Sequence, residues 1–125
     1  MRLRRQAILF ACGAGLAAPV ALGGAAEGAA TPRCVKTVKV VTGDDADGNL
    51  FFRKRRVMIR AGSCVRWVWT GTLDHQVEGK GFRSKVRTAP YNFRRRYARA
   101  RRRAFRVLCT QHPISMRMRV KVLPR

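Results

Sequence analysis

The stretch Cys109-Thr110-Gln111-His112-Pro113-Ile114-Ser115-Met116-Arg117-Met118-Arg119-Val120-Lys121-Val122-Leu123 decides how the rest of the chain is read. From Met116 onward the apolar residues Met116, Met118, Val120 and Val122 alternate with Arg117, Arg119 and Lys121. A period of two puts each set on its own face of an extended chain, which predicts a half-buried strand with a basic outer face. Just ahead of it Cys109, His112 and Met116 set a thiol, an imidazole and a thioether on one short loop. Such a donor set can wrap a single metal ion.

Working upstream, shorter runs repeat the strand pattern. Val35 to Val41 is rich in β-branched residues and leads into Gly43-Asp44-Asp45-Ala46-Asp47-Gly48-Asn49, a turn-forming cluster read as a surface loop. A calcium loop does not fit there, because placing Gly48 sixth puts Gly43 first and Lys54 twelfth, where oxygen ligands are needed. Val57 and Ile59 alternate with Met58 and Arg60, and Ala61-Gly62-Ser63 turns the chain into Cys64-Val65-Arg66-Trp67-Val68-Trp69. Gln76 to Glu78, Phe82 to Arg87, Tyr91 to Tyr97 and Ala104 to Cys109 are further strand candidates, and no useful helix or internal repeat is visible. About eight short strands separated by turns predict an all-β sandwich and not a parallel α/β fold.

The chain has 125 residues, of which 46% are hydrophobic, enough for one domain and its core. That size excludes a multidomain enzyme, and the apolar content excludes a disordered basic tail. Lys and Arg number 28 against 6 Asp and Glu, a formal charge of +22, so partners or surroundings should be anionic. Residues 1–30 read as a secretory signal peptide, with Arg2, Arg4 and Arg5 before an uncharged stretch from Ala7 to Gly24 that closes on small residues. The mature domain is then 31–125, still carrying 25 basic and 5 acidic residues, with no transmembrane anchor and without Cys12. Cys34, Cys64 and Cys109 remain, in a compartment where thiols are paired or ligated, so one of them stands apart.

The one other histidine is His75, in Leu73-Asp74-His75-Gln76-Val77 just beyond the Trp67-Val68-Trp69 strand. Thiolate and thioether favour Cu(I), while imidazole also suits Cu(II), so the mixed set holds copper in both states. These residues, with the apolar strand ending Ala61-Gly62-Ser63 and the closing Val120-x-Val122 strand, make the segment from Val35 to Leu123 resemble a cupredoxin of the single-domain plastocyanin and amicyanin type. The resemblance implies a Greek-key β-sandwich with one type 1 copper ion. His75, Cys109 and His112 would lie in a near-trigonal plane and Met116 would be a long axial ligand. Met118 is the fallback for that axial position, although its alternation with Val120 favours core packing.

The chain also departs from the family. His112 and Met116 are separated by three residues, where amicyanin-like loops have two and plastocyanin-like loops four. Gln76 follows the first ligand where relatives usually carry Asn, so the bonding between the two ligand loops is expected to differ. Ala98 to Arg103 is long and lacks the usual Gly, and is expected to form a protruding basic hairpin tip. Cys34 and Cys64 each start a strand and match no ligand, so they are expected to form a disulfide. Closing about 30 residues in this way stabilises the fold by roughly 3 to 4 kcal/mol. Zinc held by His75, Cys109, His112 and Cys64 is the rival metal, disfavoured because Cys64 belongs at the opposite end of its strand.

Function follows from that ligand set. The expectation is an exported blue copper protein, periplasmic, cell-wall-associated or extracellular, that carries single electrons and is not an enzyme. The resemblance also implies that His112 exposes its ring edge, here beside Pro113 and Ile114, as the electron's exit, and Trp67 and Trp69 are expected in the core. Arg94-Arg95-Arg96 and Arg101-Arg102-Arg103, interleaved with Tyr91, Phe93 and Tyr97, suit an acidic redox partner or an anionic cell-surface polymer. Nucleic acid is not expected outside the cell, and the protein should be a monomer. The alternative is a basic, polyanion-binding β-sandwich whose metal site is structural, copper-storing or empty.

Overall fold

The computed structural model describes residues 32–125; the expected leader, 1–30, and Cys12 lie outside the described residues. The described chain is all β: β1 (Thr37–Asp44), β2 (Leu50–Phe52), β3 (Arg56–Arg60), β4 (Ser63–Thr70), β5 (Val77–Gly79), β6 (Phe82–Arg83), β7 (Asn92–Tyr97), β8 (Phe105–Cys109) and β9 (Arg117–Leu123). One sheet has the order β2-β1-β4-β7 and the other β3-β9-β8-β5-β6. Each sheet contains one parallel pair, β1 with β4 and β3 with β9, among antiparallel neighbours. Among the described residues no helix is long and apolar enough to cross a membrane.

The alternation read in the sequence becomes the two faces of these sheets. Met118, Val120 and Val122 of β9 are buried together with Val57 and Ile59 of β3, Val65, Trp67 and Trp69 of β4, and Val77, Val107 and Cys109. Their partners by parity, Arg117 and Arg119 on β9 and Arg56, Met58 and Arg60 on β3, are exposed. Trp67 is fully buried, packs against Phe82 and Phe93 at ring separations of 5.7 and 6.2 Å, and donates its indole N–H to Met118 Sδ at 3.2 Å. Met118 is therefore a core residue with its sulfur already engaged.

The Ala61–Gly62 turn carries the chain from β3 in one sheet to β4 in the other. Two expectations need correction. Ala98–Arg103 is not a hairpin tip, since β7 and β8 also lie in different sheets. That crossing is tied down: Arg101 N–H donates to Val122 O at 3.1 Å, Lys121 Nζ donates to the Arg101 and Arg102 carbonyls, and the Arg101 guanidinium covers the Phe105 ring. Finally, the strand foreseen over Phe82–Arg87 stops at Arg83, because Ser84 turns inward and its hydroxyl accepts the Val77 N–H at 2.9 Å. Cys34 and Cys64 form the expected disulfide, their Cα atoms 5.4 Å apart, which removes Cys64 from any metal.

Candidate metal centre

Two connections bring the donor residues to one end of the sandwich. His75 lies between β4 and β5, where its N–H donates to Arg87 O at 2.9 Å and its carbonyl accepts both Arg87 N–H at 3.0 Å and the Trp69 indole N–H at 3.1 Å. Its backbone is thus fixed from two sides, and its side chain is fully buried. Cys109 closes β8 and is also fully buried. The loop after it is stapled by His112 N–H to Cys109 O, Met116 N–H to His112 O, and Cys109 N–H to Met116 O, at 3.2, 2.9 and 3.1 Å. This returns the chain so that Met116 is buried on the inner side, while Pro113 and Ile114 face solvent, Ile114 with 83% of its surface exposed.

His75 Nδ1 faces Cys109 Sγ across 3.8 Å. Two ligands about 2.05 and 2.3 Å from a shared ion, set at a trigonal angle, would stand about 3.8 Å apart. The pair is therefore spaced as co-ligands are. His112 stands beside it, its ring centroid 5.2 Å from that of His75. Among the described residues His112 Nε2 is one of two buried side-chain polar atoms with no hydrogen-bond partner, the other being Tyr97 Oη. A buried donor or acceptor without a partner is costly and calls for an explanation. Among the described residues no three His, Cys, Asp or Glu side chains close around one point. His75 and Cys109 are a built pair, with His112 and Met116 as neighbours on the second loop.

Electrostatics acts on the two donors in opposite senses, favouring the thiolate of Cys109 and the charged imidazolium of His75. The far side of the His75 ring is held by Asp44, whose Oδ1 accepts from Nε2 at 2.9 Å. A carboxylate can only accept there, so in the neutral ring the proton sits on Nε2 and Nδ1 keeps its lone pair toward the thiol. Asp44 also accepts from Thr72 N–H, Thr72 Oγ1–H and Leu73 N–H at 3.0, 3.3 and 3.0 Å, and the Thr72 bond followed by that of His75 holds its carboxyl at about 2. Burial pushes the Cys109 thiol up, but bonding with His75 and with the N–H groups of Gln76, Gln111 and His112 outweighs it and leaves the thiol below its ordinary value. The Gln76 N–H reaches Sγ at 3.4 Å. For His75 burial acts downward, and bonding to Cys109 and Asp44 reverses it, leaving the imidazole raised.

Asp44 is the residue that sequence reading missed. Its sequence context spells the surface loop 43–49, whereas β1 extends through it and it is 95% buried. The signal was present in the parity: 38, 40 and 42 point inward along β1, and 44 continues the series. Gly71 is its counterpart across the gap, at φ +90°, where an added Cβ would come within 2.3 Å of Asp44 Oδ1. Gln76, expected to alter the link between the ligand loops, makes it: Oε1 accepts from Thr110 Oγ1 at 2.5 Å and Nε2 donates to Ser84 O at 2.8 Å.

No family model matches the chain, and no curated protein does. Solved structures do resemble it. A purple cupredoxin from Nitrosopumilus maritimus is 16% identical, with a TM-score of 0.59 over 69% of this chain and 99% of that one. Amicyanin from Paracoccus versutus is 28% identical, at 0.56 over 68% and 81%, and plastocyanin from Dryopteris crassirhizoma is 19% identical, at 0.57 over 69% and 100%. The chain is cupredoxin-like, a β-sandwich of that fold.

Proposed function

We propose that the protein is an exported type 1 copper electron carrier, in which His75, Cys109, His112 and Met116 would hold the ion. The observation that carries this reading is the His75 Nδ1 to Cys109 Sγ spacing of 3.8 Å, with the opposite edge of the imidazole locked on buried Asp44. The orphaned, buried Nε2 of His112 supports it, since a ring with an unused buried nitrogen beside that pair is a ligand in waiting. Copper, when bound, supplies one-electron exchange between Cu(II) and Cu(I). The chain supplies the rest. Asp44 keeps the His75 proton on Nε2, and the N–H groups of Gln76, Gln111 and His112 hold negative charge on Sγ. The Gln76–Thr110 bond keeps the two ligand loops in register, so little need move when the charge at the site changes.

His112, half-buried between this pocket and exposed Pro113 and Ile114, is the route by which an electron leaves. The disulfide fits an oxidising compartment, in keeping with export. Adding one equivalent of Cu(II) should give an intense thiolate-to-copper band in the visible that bleaches on reduction and is absent from Cys109→Ser. Protein that stays colourless while retaining its fold refutes the carrier and leaves the basic sandwich with a structural or empty site.

A further inference from the structure

We propose that the outer face of β3, β9 and β8 is an arginine groove that docks the acidic face of a partner protein beside the electron's exit. This rests on the carrier reading above for its purpose, though not for its geometry. Arg119, on the central strand, is directly opposite Arg56 on one side and Arg106 on the other. All three are exposed. Directly opposed like charges on a sheet repel, and the other sheet repeats the register at Lys39, Arg66 and Arg94, so it is the concave groove and its neighbour Pro113 that single this face out. With Arg55 and Arg117, the residues Arg56, Arg106 and Arg119 line a groove of about 620 Å³ that has Pro113 of the ligand loop in its wall and no carboxylate. Among the described residues the ion pairs are His75–Asp44 and Arg83–Glu78, so none of the five guanidinium groups is neutralised by a described residue.

The groove is joined to the site. Arg117 Nε–H donates to Pro113 O at 2.6 Å, which fixes one guanidinium at the base of the loop that carries His112. Guanidinium groups take carboxylates in a two-pronged fashion, so five of them in one concave strip suit a row of Asp and Glu side chains. The adjacent exposed Pro113 and Ile114 favour a protein over a sugar or phosphate polymer, because a protein can offer an apolar spot next to its carboxylates. A partner seated there would bring its own redox group up to the His112 edge.

Octaglutamate is the probe, titrated into the metal-free full chain at low ionic strength and followed by amide NMR shifts. Shifts should centre on Arg56, Arg106, Arg117 and Arg119. A control comes from the other sheet, where Lys39, Arg66 and Arg94 also lie in direct register and are exposed. Replacing Arg56, Arg106 and Arg119 by Ser should weaken octaglutamate binding about tenfold, and replacing Lys39, Arg66 and Arg94 by Ser, an equal loss of charge, should weaken it less than about twofold. Equal losses in the two triple variants would overturn the groove, since net charge alone would explain the binding. Inorganic polyphosphate binding with the same arginine dependence while octaglutamate does not bind would overturn the protein partner. The peptide is read without copper and the colour without the peptide, so a colourless protein with a working groove is distinguishable from a blue one without it.

Discussion

Replacing Asp44 by Ala tests the centre where it is most tightly built. The carboxylate accepts four hydrogen bonds, from Thr72 N–H, Thr72 Oγ1–H, Leu73 N–H and His75 Nε2–H. Thr72 and Leu73 are exposed and regain water when it is removed, so most of their share returns. His75 cannot, being fully buried. Its Nε2–H loses a charge-assisted bond and is left without an acceptor, and breaking a buried pair in this way costs about 3 kcal/mol or somewhat more. Urea unfolding of the metal-free protein at neutral pH should therefore lose about 3 kcal/mol with the slope unchanged. The ring nitrogens of His75 should also lose their fixed tautomer, visible as altered imidazole ¹⁵N shifts, and copper affinity should fall about 10- to 100-fold, as for other groups that orient a ligand. Asp44→Asn keeps an acceptor for Nε2–H and should recover the tautomer and part of the stability. A loss below about 1 kcal/mol together with an unchanged His75 tautomer would show that Asp44 does not hold the ring.

Four other outcomes are expected. Cys34→Ser with Cys64→Ser should lower unfolding stability by about 3 to 4 kcal/mol without changing the copper band, because the bridge lies at the start of β4, away from His75; a bleached site would tie the two ends together. Met116→Leu should raise the potential and keep the colour, whereas Met118→Leu should leave the potential alone and cost about 1 to 2 kcal/mol, since Trp67 N–H loses its acceptor; the reverse pattern would exchange the two methionines. Asp44 has a folded value of about 2 against 3.8, so its contribution to stability is complete above 3.8 and drains away as pH falls toward 2. Near-ultraviolet dichroism of the metal-free protein should show that acid loss, and Asp44→Asn should flatten it. Oxidation of hexacyanoferrate(II) by the copper-loaded protein should slow as salt is added, and a flat response would make the arginines bystanders.

What the sequence disclosed follows from the reach of each signal. Alternation acts over two residues, so β9 and the inner faces of β3 and β4 were legible, and with them the sandwich. β2 was not, because Leu50-Phe51-Phe52 is too short to show a period and is defined by pairing with Thr42 and Asp44. Which strands share a sheet was not legible either: the β1–β4 and β3–β9 neighbours are parallel and rest on contacts far apart in the chain. The donor residues stood out as rare chemical types, with two histidines in the chain and Cys109 the one free cysteine among the described residues. Asp44 is common in type and sits in a run that spells a turn, so only its partner 31 residues away gives it meaning.

That asymmetry has a physical basis. A ligand is chosen for its own donor atom and declares itself by identity, whereas a group that orients a ligand is chosen for position, and a carboxylate is useful there only if buried and surrounded by donors. Burying an ionised carboxylate without such donors is prohibitive, which is why Thr72 and Leu73 turn their N–H groups onto Asp44 and why Gly71 gives up its side chain to let them approach. Enlarging Gly71 to Ala should therefore act on the metal centre from outside it. A Cβ there would push the Asp44 carboxylate off Nε2, and the variant should share the altered His75 tautomer of Asp44→Ala while every donor residue remains in place. If Gly71→Ala keeps the wild-type imidazole shifts, the loop has room to spare and the packing of Gly71 against Asp44 does not set the ring.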